Sequence, residues 1–543
     1  MERKIMAGKF KTYGLMVDLS RNAVMSIECW KRFIPLVKQM GYNAIFLYTE
    51  DTYEVEGEPF FGYMRGRYSI AEMQELEALG DAYGVEMIPC IQTLGHLSQI
   101  FRWGAFKNDT SSTLLVGDER TYELIDRMFS TLSKIFKTRR IHVGMDEADD
   151  LGLGKYLTQN GYETQGNIMR RHLERVKEIA DKYGYELMIW SDMFFRGWNG
   201  GYYAPKTEIP KEYRDAVIDG IIPVYWDYYM TEEGRYEDMI FNHRQLSREI
   251  WFAGGIWTWL GFSPSNKYTL KTMLPAIRVC EKEKVKNVFF TMWGDNGAEC
   301  SRLAVLPALF YVAEVGKGNL DEAKIKAKFK SRYGVDFDEF TLLDDPNRVA
   351  LNPDVPFENN STSKYMLYSD YFNGHYDFTV REGGNEYYRE LAVKLSAVAK
   401  KTRKFGYLFD TQAKLCKILE DKYELGVKTR AAYKAGDKEE LLRLAKEEYT
   451  RIERNLPIFL KAFEKQWMAE NKASGFEVQE IRIGGLIART ASCKRRLIDY
   501  ALGRFDSIPE LECEILPFGK FKPGCGSYIN RYEKIVTSNI FYD

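Results

Sequence analysis

The sequence predicts an α/β fold, a (β/α)8 TIM barrel, followed by an all-helical C-terminal domain. Three observations support it: eight short apolar runs rich in β-branched and aromatic residues, amphipathic segments between them, and a change of pattern near residue 318. Alternating strand-like and helix-like segments are typical of a parallel sheet, and eight strands close a barrel. A doubly wound sheet would alternate too, but no glycine-rich phosphate fingerprint follows the first run.

The elements follow one another at regular intervals along the first part of the chain. The predicted strands span residues 14–19, 43–48, 86–91, 140–146, 186–191, 221–226, 250–255 and 287–292. The predicted intervening helices span residues 25–39, 70–83, 119–137, 164–183 and 267–284. Beyond them, Lys, Glu, Leu and Ala recur at helical spacing. We therefore expect a barrel over residues 1–318, a connecting segment over 319–385 and a helical domain over 386–543.

One stretch places three titratable side chains close together. Residues 139–147 read Arg-Arg-Ile-His-Val-Gly-Met-Asp-Glu and are predicted to end the fourth strand. Because side chains alternate along a strand, His142 and Asp146 would share one face, with Gly144 leaving space between them. Glu147 falls where the strand gives way to loop, so two carboxylates can converge on one site. The alternative is an acidic pair that only opens a loop or caps a helix.

The same residues resemble a known enzyme family. In the retaining exo-β-N-acetylhexosaminidases of glycoside hydrolase family 20, a His-x-Gly-Gly-Asp-Glu run ends the fourth barrel strand, and this chain carries His-Val-Gly-Met-Asp-Glu. Met145 replaces the second glycine, on the face that we expect to point outward. The resemblance extends over strand ends between residues 13 and 315. It implies a catalytic barrel of the type that carries a C-terminal helical domain.

The resemblance also implies a mechanism. The substrate's own 2-acetamido oxygen would attack the anomeric carbon and form an oxazolinium ion, which makes this family an exception among retaining glycosidases. Glu147 would protonate the leaving oxygen and then activate water, while Asp146 would orient the acetamido N–H. This chemistry needs no cofactor and no metal.

Side chains at other strand ends are assigned to substrate binding by the resemblance. Arg21 follows the first strand in an Asp-x-Ser-Arg run and would bind sugar hydroxyls, with a salt bridge to Asp18 as the alternative. His96 would lie near the acids after the third strand; a hydrogen-bonded structural histidine is equally open. Where the family carries two acids before it, this chain has Cys90 and Gln92.

Tryptophan recurs at or just beyond four consecutive strand ends, a pattern that core packing alone explains poorly. We interpret these residues as an aromatic box around the sugar and its acetamido group, as the resemblance implies. Tyr228 and Tyr225 are alternative candidates for the tyrosine that contacts the acetamido oxygen. The other predicted substrate-binding residues are His142, Trp190, Asp192, Trp226, Trp257, Trp259, Trp293 and Asp295.

Composition excludes several function classes. Among 543 residues, 77 basic and 78 acidic side chains give a formal net charge of −1, which does not favour nucleic acid or anionic membranes. The eight cysteines form no paired motif, and five histidines show no metal-ligand spacing. The first residues lack a secretory signal pattern, so we expect free thiols and a cytoplasmic location.

Two other functions remain open at this point. A family 84-like β-N-acetylglucosaminidase would use an Asp-Asp pair, for which Asp149 and Asp150 are the candidates. A catalytically silent carbohydrate-binding barrel would keep the aromatic box without turnover. In every case the expected partner is a small carbohydrate, and the amphipathic C-terminal helices suggest a homodimer.

Overall fold

The computed structural model describes residues 9–349, 360–516 and 528–540 and divides into two compact units. The first unit comprises Met1–Ile256, Thr269–Trp293 and Leu309–Asp321, and the second comprises Trp257–Tyr268, Gly294–Ala308 and Glu322–Asp543. Both units are discontinuous in sequence. The contiguous domain boundaries at residues 318 and 385 stay a prediction.

The first unit contains a closed barrel of eight parallel strands, each paired with its sequence neighbours, and β8 pairs with β1. The strands are β1 Thr12–Asp18, β2 Ala44–Glu50, β3 Glu86–Ile91, β4 Arg140–His142, β5 Glu186–Trp190, β6 Ile221–Trp226, β7 Trp251–Gly255 and β8 Asn287–Met292. The predicted fold class is confirmed. Seven of the eight predicted strands agree with the structure to within about two residues.

The fourth strand is the exception. It ends at His142, whereas the sequence predicted that it would continue to Asp146. Gly144 and Met145 both adopt positive φ angles, of 73° and 68°, which are incompatible with a strand. The prediction that strand alternation places Asp146 on the face of His142 was therefore wrong, and a turn positions the two carboxylates.

Eleven helices are described between the strands and directly after β8. They are α1 Ile27–Met40, α2 Ile70–Tyr83, α3 Ser98–Phe101, α4 Glu119–Ile135, α5 Lys155–Asn160, α6 Gln165–Lys182, α7 Met193–Asn199, α8 Lys211–Arg214, α9 Glu233–His243, α10 Asn266–Lys282 and α11 Leu306–Gly316. All five predicted helices are present. Local signals explain their bounds: α2 begins with a capping box between Ser69 and Glu72 and ends at Gly84, whose φ is 63°.

The interior of the barrel is filled by large apolar side chains, so the barrel is a core and not a pore. Every second residue of a strand points inward and packs against its counterparts from other strands. The buried cluster comprises Met16, Ala44, Phe46, Tyr48, Ile88, Cys90, Met188, Trp190, Ile222, Val224, Trp251, Ala253 and Phe289. Trp226 and Trp293 pack against this cluster while remaining partly exposed, at the ends of the strands that carry the predicted site.

The second unit is helical. Its helices are α12 Glu322–Tyr333, α13 Phe337–Phe340, α14 Thr362–Tyr368, α15 Gly384–Lys401, α16 Gly406–Lys422, α17 Leu425–Lys434, α18 Lys438–Leu444, α19 Thr450–Glu470, α20 Phe476–Ala501, α21 Pro509–Glu512 and α22 Tyr532–Val536. The all-helical region is thereby confirmed.

Across the described parts of the chain, no helix is both long and apolar enough to cross a lipid bilayer. The seven cysteines found there are free thiols.

Candidate active site

The turn after β4 presents two adjacent carboxylates at the C-terminal end of the barrel. Gly144, Met145 and Glu147 all have left-handed backbone angles, and the φ of Glu147 is 50°. A left-handed conformation costs a residue with a Cβ about 1–2 kcal/mol. Met145 therefore occupies a position that suits glycine, and its side chain is fully buried. Replacement of the family's second glycine strains the backbone at this turn as well as changing the packing.

Gln92 fixes the turn from the end of β3. Its amide nitrogen donates to Asp146 Oδ1 at 2.7 Å and to the Tyr48 hydroxyl at 2.9 Å. Its amide oxygen accepts from the Met145 backbone N–H at 3.1 Å. A Cβ on Gly144 would collide with this amide, so glycine is required here by close approach as well as by φ. No role of Gln92 was predicted from the sequence, although its place at a strand end was a signal.

Asp146 is held as a carboxylate. Its Oδ2 lies 3.3 Å from His96 Nε2, and only 12% of its side chain is exposed. Burial alone would raise the pKa of Asp146, but the charge of His96 and the hydrogen bond from Gln92 outweigh it and lower the pKa. Burial likewise disfavours the charged form of His96, yet Asp146 and Glu50 raise the His96 pKa to about 9. The result is a partly buried imidazolium–carboxylate pair.

Glu147 lies in a different environment, with about half of its side chain exposed. Partial burial and the negative charge of Asp146 raise its pKa, while His96 and Arg196 oppose the rise. Its two oxygens lie 3.8 Å from His96 Nε2 and 3.5 Å from Arg196 Nη2. Two neighbouring carboxyl groups thus have pKa values displaced in opposite directions, the arrangement typical of an acid beside a permanent anion.

Asp192, at the end of β5, holds the backbone of the acid. Its Oδ2 accepts from the Glu147 N–H at 3.0 Å and from Arg196 Nε at 3.1 Å. Its Oδ1 accepts from Trp226 Nε1 at 3.4 Å. Asp192 is fully buried, and burial together with Asp146 raises its pKa. The contacts indicate that Asp192 positions Glu147 and Trp226.

Arg196, on α7, contacts the site but was not predicted from the sequence. Its three guanidinium nitrogens contact three carboxylates: Nε lies 3.1 Å from Asp192, Nη1 lies 3.0 Å from Asp149, and Nη2 lies 3.5 Å from Glu147. The only sequence signal was its spacing of four residues from Asp192 on one helix face. The Asp149 side chain is 63% exposed and engaged by Arg196.

Arg21 joins the ends of β1, β2 and β8. Its Nη1 lies 3.0 Å from Glu50 Oε1 and 3.4 Å from Asp18 Oδ2, and its guanidinium carbon lies 5.2 Å and 5.5 Å from the Tyr48 and Trp293 ring centroids. This geometry is compatible with a salt bridge to Asp18 and with sugar binding by Arg21. The salt bridge forms while 22% of the side chain stays exposed. Glu50, whose pKa is raised by burial, was not recognised in the sequence.

The aromatic residues of the first unit form two layers. Trp190 is 1% exposed and packs on the fully buried His142 with ring centroids 4.3 Å apart. Burial lowers the His142 pKa to about 3, so this histidine is neutral and lies beneath the site. Trp226 and Trp293 are partly exposed above this layer. Of the three tryptophans predicted for the site in the barrel unit, Trp226 and Trp293 are therefore the two that a ligand can reach.

The two candidate tyrosines, Tyr228 and Tyr225, lie in different surroundings. The Tyr228 hydroxyl is hydrogen-bonded to Trp293 and Thr291, and its ring stacks on Trp226 at a centroid distance of 5.4 Å. The Tyr225 hydroxyl donates to Asp227 Oδ2 at 2.7 Å and is fully buried. Tyr228 therefore contacts both accessible tryptophans, whereas the Tyr225 hydroxyl is engaged with Asp227. This geometry favours Tyr228 over Tyr225.

Three predicted residues belong to the second compact unit. Trp257 and Trp259 stack on each other there with ring centroids 4.3 Å apart, and both are buried. The Trp259 carbonyl accepts from Asn530 Nδ2 at 2.8 Å. Asp295 is partly exposed in the same unit. The barrel unit brings together the other ten predicted residues, and the substrate roles of all thirteen stay predictions.

The residues of the barrel unit can perform acid–base chemistry on a neutral ligand. One protonatable carboxyl group, one permanent carboxylate and an imidazolium converge beside two accessible indole rings. Among the described residues, no cluster of three or more His, Cys, Asp or Glu side chains is arranged to hold a metal ion. The arrangement matches what general acid catalysis with electrostatic orientation of a substrate group needs.

Two family models match the chain. The glycosyl hydrolase family 20 catalytic domain matches residues 10–215, and the Glycoside Hydrolase 20C C-terminal domain matches residues 338–528. The chain therefore resembles family 20 hydrolases in both its barrel and its helical region, as the motifs indicated. The catalytic match ends between β5 and β6, so it supports only the first part of the likeness seen over residues 13–315.

Individual relatives are distant. Hexosaminidase D of Homo sapiens is 24% identical over 222 residues, covering 38% of this chain and 43% of the relative. Hexosaminidase D of Bos taurus is 25% identical over 207 residues, covering 36% of this chain and 56% of the relative. The chain thus spans about half the length of these curated relatives.

Solved structures similar to this chain include two GH20 enzymes. The GH20 β-N-acetylhexosaminidase of Streptomyces coelicolor A3(2) gives a TM-score of 0.44 at 19% identity, over 60% of this chain and 70% of that one. The GH20 exo-β-N-acetylglucosaminidase of Vibrio harveyi, solved with N-acetylglucosamine, gives a TM-score of 0.47 at 15% identity, over 61% of this chain and 58% of that one.

Proposed function

We propose that this chain, similar to family 20 glycoside hydrolases, is an exo-acting retaining β-N-acetylhexosaminidase. It hydrolyses terminal β-linked GlcNAc or GalNAc from oligosaccharides or glycoconjugates. The observation that carries the proposal is the pair at residues 146 and 147. Asp146 is buried with its pKa lowered, and Glu147 is half-exposed with its pKa raised. Substrate-assisted hydrolysis needs one carboxyl group in each of these states.

In the first step, the acetamido oxygen of the bound sugar attacks the anomeric carbon. The Asp146 carboxylate accepts the acetamido N–H and stabilises the positive charge that develops on the acetamido group. Glu147 donates its proton to the glycosidic oxygen, and the aglycone leaves as an alcohol. An oxazolinium ion and a Glu147 carboxylate result.

In the second step, the Glu147 carboxylate takes a proton from water, and the water oxygen attacks the anomeric carbon. The oxazolinium ring opens, so the acetamido group is restored and the anomeric configuration is retained. Glu147 regains its proton and is ready for another turnover. Asp192 and Arg196 hold Glu147 in place for both proton transfers.

Selectivity for an N-acetyl group would come from the aromatic residues. Trp226, Tyr228 and Trp293 offer apolar faces and one hydroxyl at the strand ends, which suits a pyranose ring with an acetamido methyl. Arg21, which follows the end of β1, presents guanidinium donors to sugar hydroxyls.

The test is release of 4-nitrophenol from the β-GlcNAc, β-GalNAc and β-glucose glycosides. We expect cleavage of the two acetamido sugars and not of glucose. Glu147→Gln should cut turnover of natural disaccharides by about 10²-fold or more, and turnover of the activated nitrophenyl glycosides much less. Silence on all three substrates would point to a carbohydrate-binding barrel. Equal losses on both substrate types would argue against the acid role of Glu147.

We also propose a homodimer and a cytoplasmic location for the protein. The amphipathic helices of the second unit supply the faces that a dimer would use. Light scattering at micromolar concentration checks the oligomeric state, and a monomer would contradict the dimer. Fractionation of the source cells checks the location.

A further inference from the structure

A cavity of about 460 Å³ is lined by two crossover segments of the barrel, the one between β4 and β5 and the one between β5 and β6. Its volume falls within the range of small-molecule sites. None of the predicted catalytic or substrate-binding residues lines it. Its walls include the first turn of α6 and residues of α7 and α8, which follow the C-terminal ends of β4 and β5. The cavity therefore lies beside the barrel face that carries Glu147.

The cavity wall is joined to the acid through a short chain of contacts. Gln165, in the wall, donates through Nε2 to the Asp149 carbonyl at 2.5 Å. The Asp149 carboxylate accepts from Arg196 Nη1 at 3.0 Å, and Arg196 Nη2 lies 3.5 Å from Glu147 Oε1. Gly197, next to Arg196 in the chain, lines the cavity as well. The two sites thus share the loops that hold the acid.

The lining combines apolar faces with polar groups. Tyr162 and Leu153, in the cavity wall, are 77% and 54% exposed. Phe194 and Tyr213 supply further ring surface, and Asn167 supplies an amide. Flat aromatic surface beside hydrogen-bonding groups is the chemistry that binds a sugar, since a pyranose has an apolar face and a hydroxylated rim.

We propose that this cavity binds the sugar residues on the leaving-group side of the substrate. The inference rests on the proposed function, because Glu147 protonates the glycosidic oxygen and the leaving group therefore begins at Glu147. Asp149 and Arg196 border Glu147 on the side of the cavity. An oligosaccharide would place its reducing end there, whereas a nitrophenyl group is too short to need it.

The test fills the cavity without touching the acid. A Cβ on Gly166 would meet no atom within 4 Å, so Gly166→Trp can occupy the space. Gly201 has equally open surroundings but does not line the cavity, which makes Gly201→Trp the matched control. We expect Gly166→Trp to raise KM for a β-linked GlcNAc trisaccharide about tenfold and to leave kcat/KM for the nitrophenyl β-GlcNAc glycoside unchanged. The control should match the wild type on both substrates.

A second variant guards against misfolding of the first. Tyr162→Ala removes an exposed ring and should raise the trisaccharide KM severalfold, with unchanged thermal unfolding. Unchanged trisaccharide KM in both variants, with wild-type activity intact, would overturn the inference and leave the proposed function standing. If either variant converted a dimer to a monomer and left the trisaccharide KM unchanged, the cavity wall would be a contact between subunits. That result would overturn the inference. A wild type that cleaves neither substrate would overturn the proposed function and this inference together.

Discussion

The two halves of the barrel rim are built from different side chains. After β1 to β5 the rim is charged, and ion pairs link its side chains. After β6 and β8 the barrel unit presents Trp226, Tyr228 and Trp293. The family 20 catalytic match covers residues 10–215, which include the charged half and end before β6.

The charged and the aromatic half are held in place by different kinds of contact. Hydrogen bonds and ion pairs with defined directions fix the charged half, as in the contacts of Asp146 to Gln92 and His96. Ring contacts fix the aromatic half, and such contacts tolerate more variation in sequence. Proton transfer depends on placement to within a fraction of an ångström, whereas a binding surface needs only shape.

The largest effect is expected in the charged half, from Asp146→Asn. The neutral amide would leave the acetamido group without its orienting anion and would leave His96 without its counter-charge. We expect kcat for nitrophenyl β-GlcNAc to fall about 10²–10³-fold. Initial-rate kinetics with a thermal-unfolding control would measure it. A near-normal rate in a folded variant would contradict substrate assistance.

A smaller effect is expected in the aromatic half, from Trp226→Ala. Loss of the indole removes a binding face and the N–H that donates to Asp192 at 3.4 Å. KM for nitrophenyl β-GlcNAc should rise about tenfold, with a lesser change in kcat. Trp226→Phe is the matched control, because it keeps an aromatic face and removes only the donor. If kcat fell while KM stayed constant, Trp226 would contribute to catalysis and not to binding, which would contradict the proposed division between the two halves.

The smallest change in rate, but a diagnostic pH effect, is expected from Arg196→Gln. Arg196 opposes the rise in the Glu147 pKa, so its removal should raise that pKa further. Because Glu147 must be protonated in the first step, the alkaline limb of the kcat/KM profile should move to higher pH. The rate at the optimum should fall about tenfold through looser positioning. Arg214→Gln, at an arginine paired with Glu208, is the control. If the alkaline limb of the kcat/KM profile did not move, Arg196 would have no effect on the pKa of Glu147.

The sequence was informative where local rules apply. Strand-like runs, helical spacing and the capping box at Ser69 depend on neighbouring residues, and they gave the eight strands and the order of the helices. The acidic pair was visible because its two members are adjacent in the chain. The reason offered for its convergence was wrong, since β4 ends at His142 and a turn follows.

The sequence by itself determined the fold class, the adjacent carboxylates and the tryptophan-rich strand ends, because these follow from composition and periodicity over short stretches. Only the tertiary structure decided the protonation states and supports of those carboxylates. Gln92, Glu50 and Arg196 reach the site from other strands and loops, and Trp190 proved to be buried beneath it. Burial and charge–charge distance are properties of residues far apart in sequence, and they exist only once the barrel has closed.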